Sequence, residues 1–239
     1  MRGCAPAILL EELAESKTSP LLVIVPTVAE AESLEAQLHF FLTTKPSTLF
    51  PDPETLSYDS FSPHQDLVSR RLCILADLLT PKPGITLVAA PTLFQRLPPT
   101  SYIRSFSLSL KTGQSLDIAN LQQQLSASGY ERISQVSEHG EYAVRGSLID
   151  LYPMGYDLPV RVDFFDNEID SIRFFDPDTQ LSGEHITTLE MLPAREFPTS
   201  PDAIREFRSR FRERFEGNPG ESLIYREVSE GRCPGGIEN

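Results

Sequence analysis

Apolar residues follow two rhythms along this chain, and the change between them near residue 109 divides it. Residues 5–15 place apolar side chains at helical spacing, and Leu21 to Val25 (LLVIV) make an unbroken apolar run. Such a run predicts a parallel strand covered on both faces. Pro26-Thr27 turns the chain into a helix predicted over 28–41. Residues 67–79 (LVSRRLCILADLL) predict an amphipathic helix, stopped by PKPG at 81–84. Ile85 to Ala90 (ITLVAA) reads as a second buried strand. Strand, helix and strand in this order imply an α/β layer with right-handed crossovers.

Beyond residue 109 the rhythm shortens. SLDIANLQQQLSASGY (115–130) predicts a helix ending at Gly129, and ERISQV, EYAVR, SLIDLY, PVRVDFF and EIDSIRFF follow as successive strands. This is the pattern of a separate antiparallel α+β unit. Strand alternation puts Val160, Val162 and Phe164 on a core face, and Arg161, Asp163 and Phe165 on the opposite one. Asp166-Asn167 reads as a tight hairpin turn, since both residue types tolerate positive φ. Ile169 and Ile172 are three apart, so a β-bulge in the returning strand is needed to keep both on the core face. Phe165 therefore stands near a hairpin tip on a polar face. Its ring is either covered by another part of the chain or offered to a partner.

After a polar loop, Ile186 to Leu192 predict another strand. Ser200 and Pro201 then start a helix whose Ile204, Phe207, Phe211 and Phe215 share one stripe. The stripe is expected to pack against a neighbouring layer, leaving the arginines of that helix solvated. The tail 217–239, rich in Gly, Pro and Glu, reaches Asn239 without a terminating element, so the chain is expected to be a piece of a longer one.

Charge narrows the function. The formal net charge of the 239 residues is -13, a field that repels nucleic acid and argues against a general grip on duplex DNA. The cations are mainly arginine, which suits bidentate recognition of carboxylates. Cys4, Cys73 and Cys233 form no CxxC pair, which predicts free thiols in a reducing cytoplasm. No cysteine and histidine cluster at metal-ligand spacing, so no metal site is expected. The opening MRGCAPAILLEELAES contains Glu11 and Glu12, which favour an amphipathic helix over a signal peptide. No apolar stretch approaches a membrane span.

There is no GxxxxGK[ST], and neither Lys17-Thr18 nor Lys111-Thr112 follows the required glycine. There is no GxSxG, and His64 in FSPHQD reads as a loop-ordering residue. No catalytic residue and no cofactor is therefore assigned. Arg145, before Gly146 where a strand can kink, joins Arg161 and Phe165 as the kind of anchor set that dominates protein interfaces. The alternative is intramolecular: salt bridges to Asp150, Asp163 or Glu168, with Phe165 in an internal cluster.

The ordered runs SYDSFSPHQD, GEYAVRGSLIDLYPMG, PVRVDFFDNEIDSIRFFDPDTQ, MLPAREFPT and AIREFRSRFRERFE also resemble the N-terminal region of the bacterial transcription-repair coupling factors, from the ILLEELAE helix to PGGIE. That module is itself similar to the excision-repair protein UvrB. The resemblance implies a degenerate helicase-like domain 1A over 1–108, an inserted domain 2 over 109–190 and the start of domain 1B over 191–239. It implies recruitment of UvrA through domain 2, with Arg145, Arg161 and Phe165 at the matching positions. UvrB has a P-loop where this chain has RGCAPAILL, and a Tyr-rich hairpin where SPHQD runs straight into the next helix. Family members continue into an RNA-polymerase-binding domain and an ATP- and Mg-dependent DNA translocase motor, neither of which lies in these residues. Two further readings stay open: a UvrB-like nucleotide- or DNA-binding helicase domain, and an autoinhibitory module docked on the motor.

Overall fold

The structure, a computed structural model, describes residues 3–42, 45–56 and 59–238. It divides into two compact units, Met1–Pro53 with Arg70–Leu97, and Glu54–Ser69 with Pro98–Asn239. The described residues form seven α-helices and both parallel and antiparallel sheets. The expected fold class, an α/β layer with a UvrB-like α+β unit, is the one observed.

The first unit begins with α1 (Ala5–Ser16), β1 (Leu21–Val25) and α2 (Val28–Phe41), whose first turn is capped by the Thr27 hydroxyl accepting from Glu30 N. Next come β2 (Ser47–Phe50), α3 (Gln65–Asp77) and β3 (Ile85–Ala89). The three strands are parallel in the order β1-β3-β2. Ala7, Ala14, Leu34 and Leu38 of the first two helices close over Leu49, Ile85 and Leu87 on one face. On the other face Ile74 of α3 meets Phe50 and Val88.

That second cover does not reach β1. Leu22 and Ile24 are 62% and 55% exposed, while Leu21, Val23 and Val25 face the helices. The expectation that LLVIV is covered on both faces is therefore corrected. β1 is an edge strand, and a helix lying over β2 and β3 leaves its outer face open. Beside Ile74, burial and the nearby Asp77 carboxylate push the Cys73 thiol up to about 11. A raised thiol pKa means less thiolate at any given pH, about one molecule in a thousand at pH 8. Iodoacetamide at that pH is expected to label exposed Cys4 and spare Cys73, as read by peptide mass spectrometry.

The second unit contains α4 (Thr100–Phe106), β4 (Leu108–Lys111) and α5 (Ile118–Ala127), capped by Asp117 Oδ1 accepting from Asn120 N. Strands β5 (Glu131–Arg132), β6 (Glu141–Arg145), β7 (Leu148–Leu151), β8 (Val160–Phe165), β9 (Glu168–Phe175) and β10 (Ser182–Ile186) then form one sheet in reverse spatial order, β10 to β5. The sheet is antiparallel except at β5, which runs parallel to β6, so the all-antiparallel expectation fails at that edge. β11 (Thr188–Met191) returns to pair with β4.

Tyr142, Ile149, Leu151, Val160, Val162 and Phe164 line the inner face of the large sheet and are buried. The hydroxyls of Ser126 and Tyr142, 3.1 Å apart, place α5 on that side. The anticipated bulge is present. The β8–β9 register shifts between Asp163 and Phe164, so that Ile172 opposes Val162 and Ile169 opposes Phe164. Both isoleucines are fully buried as a result.

At the C-terminal side lie α6 (Pro201–Arg214), N-capped by Ser200, and α7 (Leu223–Ser229). The Phe207 and Phe211 rings meet the Tyr225 ring of α7, and the Phe215 ring lies tilted against Phe211. No residue of α6 is fully buried, so the stripe packs on one short helix rather than on a layer. No helix among the described residues is long and apolar enough to cross a membrane.

Candidate docking face

The outer face of the large sheet is polar, and its register decides which side chains meet. Ala143, Asp150, Arg161 and Arg173 lie in one row across β6, β7, β8 and β9, with Arg145, Leu148, Asp163 and Ser171 in the next. One end of this face is closed, since Val136, Ala143 and Phe175 cluster with Ile133 and Tyr152. The arginine rows and the β8–β9 hairpin stay open beside it.

Phe165 ends β8 and is 74% exposed, as expected of a ring beyond the core register. Asp166 takes the left-handed conformation, φ 54, at the tip. The hairpin is pinned from outside the sheet. Leu116 N donates to Asn167 O at 2.9 Å, Gly113 N to Ile169 O at 2.8 Å, and Ile169 N to Gln114 O at 3.0 Å. An aromatic ring on a backbone held in this way is a pre-organised anchor, which lowers the entropy lost on binding.

Arg145 pairs with Leu148 across a two-residue turn at Gly146-Ser147, where Gly146 has φ 62. The expected kink is thus a hairpin, and it leaves the Arg145 side chain 43% exposed. Its ties are weak, Nη2 donating to Ser134 O at 3.4 Å and Nη1 lying 4.0 Å from Asp150.

Arg161 does not project into water, which corrects that part of the expected geometry. Its Nε and Nη2 donate to Asp150 Oδ1 and Oδ2 at 2.7 and 2.9 Å, a bidentate fork. The guanidinium lies over the Phe175 ring, 4.7 Å from its centroid. Gln180 O and Oε1 take further donors at 3.4 and 3.5 Å. The Arg161 side chain is 13% exposed and that of Asp150 is 2%. The hydrogen bond it donates to Asp150 holds the Arg161 pKa above the usual guanidinium value, against the opposing effect of burial. The internal salt bridge that the sequence left open is therefore real for Arg161. Phe165 and Arg145 remain presented.

Away from this face, His64 and His139 are held in local hydrogen bonds. His64 is exposed and its Nδ1 accepts from Asp66 N at 3.3 Å. Both ring nitrogens of His139 face oxygen acceptors at 2.8 Å, on Asp66 and Tyr156. Among the described residues no group of three or more His, Cys, Asp or Glu could hold a metal ion.

The sequence model of the UvrB interaction domain matches residues 108–197, which include this face. Over 238 residues the chain is 45% identical to the transcription-repair-coupling factor of Escherichia coli (strain K12), a match covering all of this chain and 21% of that protein. Its whole length matches the N-terminal region of that coupling factor. Its match to the Haemophilus influenzae transcription-repair-coupling factor is 46% identical over 235 residues, 98% of this chain and 20% of the other. For the Bacillus subtilis transcription-repair-coupling factor the figures are 29% over 202 residues, 84% and 17%. The chain thus corresponds to the N-terminal region of the coupling factors and spans about a fifth of the length of these relatives.

Proposed function

We propose that this chain is the non-catalytic UvrA-docking module of a transcription-repair coupling factor, acting through the outer face of β6, β7, β8 and β9. Arg145 and Phe165 are the presented anchors, and Arg161 shapes the face from within. The observation that carries the reading is the exposed Phe165 ring on a pinned hairpin, inside the segment matched by the UvrB interaction domain. Apolar rings held in water by a fixed backbone are typical interface anchors.

In this reading the module is cytoplasmic and brings UvrA to RNA polymerase stalled at DNA lesions, for nucleotide-excision repair. RNA polymerase, DNA, and ATP with Mg are engaged by parts of the family's proteins outside this chain. Pro6 supports the absence of nucleotide chemistry here. It lies in the first turn of α1 and removes one of the backbone donors that a phosphate would need there. The division at residues 109 and 190 remains our proposal for the domain boundaries. Docking of the same face on the motor domains is compatible with this reading, because one surface can serve two states.

Calorimetric titration of UvrA into the chain is expected to show saturable binding that UvrB competes away. No binding at about 10 μM, a concentration that reveals any micromolar complex, would overturn the assignment.

A further inference from the structure

The same face holds a third arginine that strand alternation alone did not single out. Arg173 is the Cα partner of Arg161 across β8 and β9, so two guanidinium-bearing side chains rise from directly opposed positions. Like charges placed so are unfavourable, and two carboxylates offset them. Asp150 is taken by Arg161, with Arg145 at its margin. Asp163 Oδ2 meets Arg173 Nη2 at 3.2 Å. In these two rows three guanidinium groups share two carboxylates, and Glu168 lies farther along the face opposite Phe165.

The three arginines differ in what they have left to give. Arg161 has its donors engaged by Asp150 and Gln180. Arg173 makes its single-oxygen contact to Asp163, and its Nε is enclosed without a hydrogen-bond partner. The Arg173 side chain is still 26% exposed. Asp163 meets only Nη2, so the partly exposed side chain keeps donor capacity for an incoming oxygen.

We propose that Arg173 is a further binding residue of the docking face. The partner surface it fits carries a carboxylate for the Arg145–Arg173 cluster, beside an apolar pocket for Phe165. This rests on the docking reading above and adds to it the chemistry of the partner. A carboxylate suits a planar donor fork that retains Asp163 on one side, and the chain's overall negative charge disfavours a nucleic-acid phosphate in the same place.

The test titrates UvrA with the whole chain at low and moderate salt, using wild type, Arg173→Ala, Arg173→Met and Phe165→Ala. Arg173→Met keeps the packing of the aliphatic stem if alanine disturbs the sheet. Both Arg173 variants are expected to bind about tenfold or more weakly, with a flatter salt dependence and an unchanged thermal midpoint. A purely structural role would move the midpoint instead, and that result overturns the proposal. Loss of binding in Phe165→Ala with wild-type affinity in both Arg173 variants would sink Arg173 alone and leave the docking reading standing. Wild-type affinity in all three variants would remove the docking reading itself. Duplex DNA binding that Arg173→Met abolishes, with UvrA binding intact, would reassign the residue to phosphate and overturn the carboxylate.

Discussion

Asp150→Ala is expected to lower the unfolding free energy of the large sheet by about 3 kcal/mol, the lower end of the range for breaking a buried ion pair. The carboxylate is 2% exposed and both its oxygens hold Arg161. Without it the Arg161 guanidinium keeps the Phe175 ring and weak contacts to Gln180, but it faces Arg173 with only Asp163, already paired with Arg173, as a counter-charge. Its remaining contact with solvent lets the head group move outward, which is why the cost lies at the low end. Urea unfolding is the measurement. The midpoint is expected to fall at unchanged m-value, and an unchanged midpoint would refute the clamp. The same geometry makes Arg161→Glu a poor probe of binding, since it sets a second carboxylate against buried Asp150. Any loss of UvrA affinity in that variant would mix a misfolded sheet with a lost contact.

Phe165→Ala separates the two effects. With three-quarters of the ring in water, truncation forfeits little packing, and stability is expected to change by no more than about 0.5 kcal/mol. The affinity for UvrA is expected to fall about thirtyfold, which corresponds to about 2 kcal/mol and is the usual size for an aromatic anchor. The pinned hairpin is the reason to expect so much from one side chain. Leu116, Gly113 and Gln114 fix the backbone at the turn and at the start of the returning strand, so the ordering cost is met during folding. Arg145→Ala is expected to have a smaller effect, because its half-exposed guanidinium is screened by water. Calorimetry with UvrA, alongside thermal unfolding of each variant, reads both quantities. Equal affinity of folded Phe165→Ala and wild type would remove this ring from the interface.

Much of this site can be read from the chain because strands have a period of two. Once Val160, Val162 and Phe164 are given to the core, Phe165 has to face outward, and Asp166-Asn167 has to turn the chain beside it. The spacing of Ile169 and Ile172 likewise requires a bulge, since a regular strand cannot bury both. These are local rules, and they hold because each hairpin is made of neighbours in sequence. β2, β4 and β10 escaped the same reading. β10 has SGEHI almost wholly exposed, so it is held by backbone pairing with β9, and its side chains carry no burial signal. The helices α4 and α7 are only two turns long, too short to establish a period.

What the sequence determined by itself is the alternation of core and surface along each strand, the place of the β8–β9 hairpin and its exposed ring, and the kinship with the coupling factors. What only the tertiary structure decided is which charges meet. Asp150 reaches Arg161, and Arg173 stands against it, through cross-strand register fixed by the bulge and by the inner-face packing of three strands. Whether LLVIV is covered on one face or two was also settled there, because a strand's place at the edge of its sheet depends on how many helices the rest of the unit can lay over it. Alternation is a property of the backbone, whereas pairing and coverage are properties of distant segments brought together by the burial of a shared core.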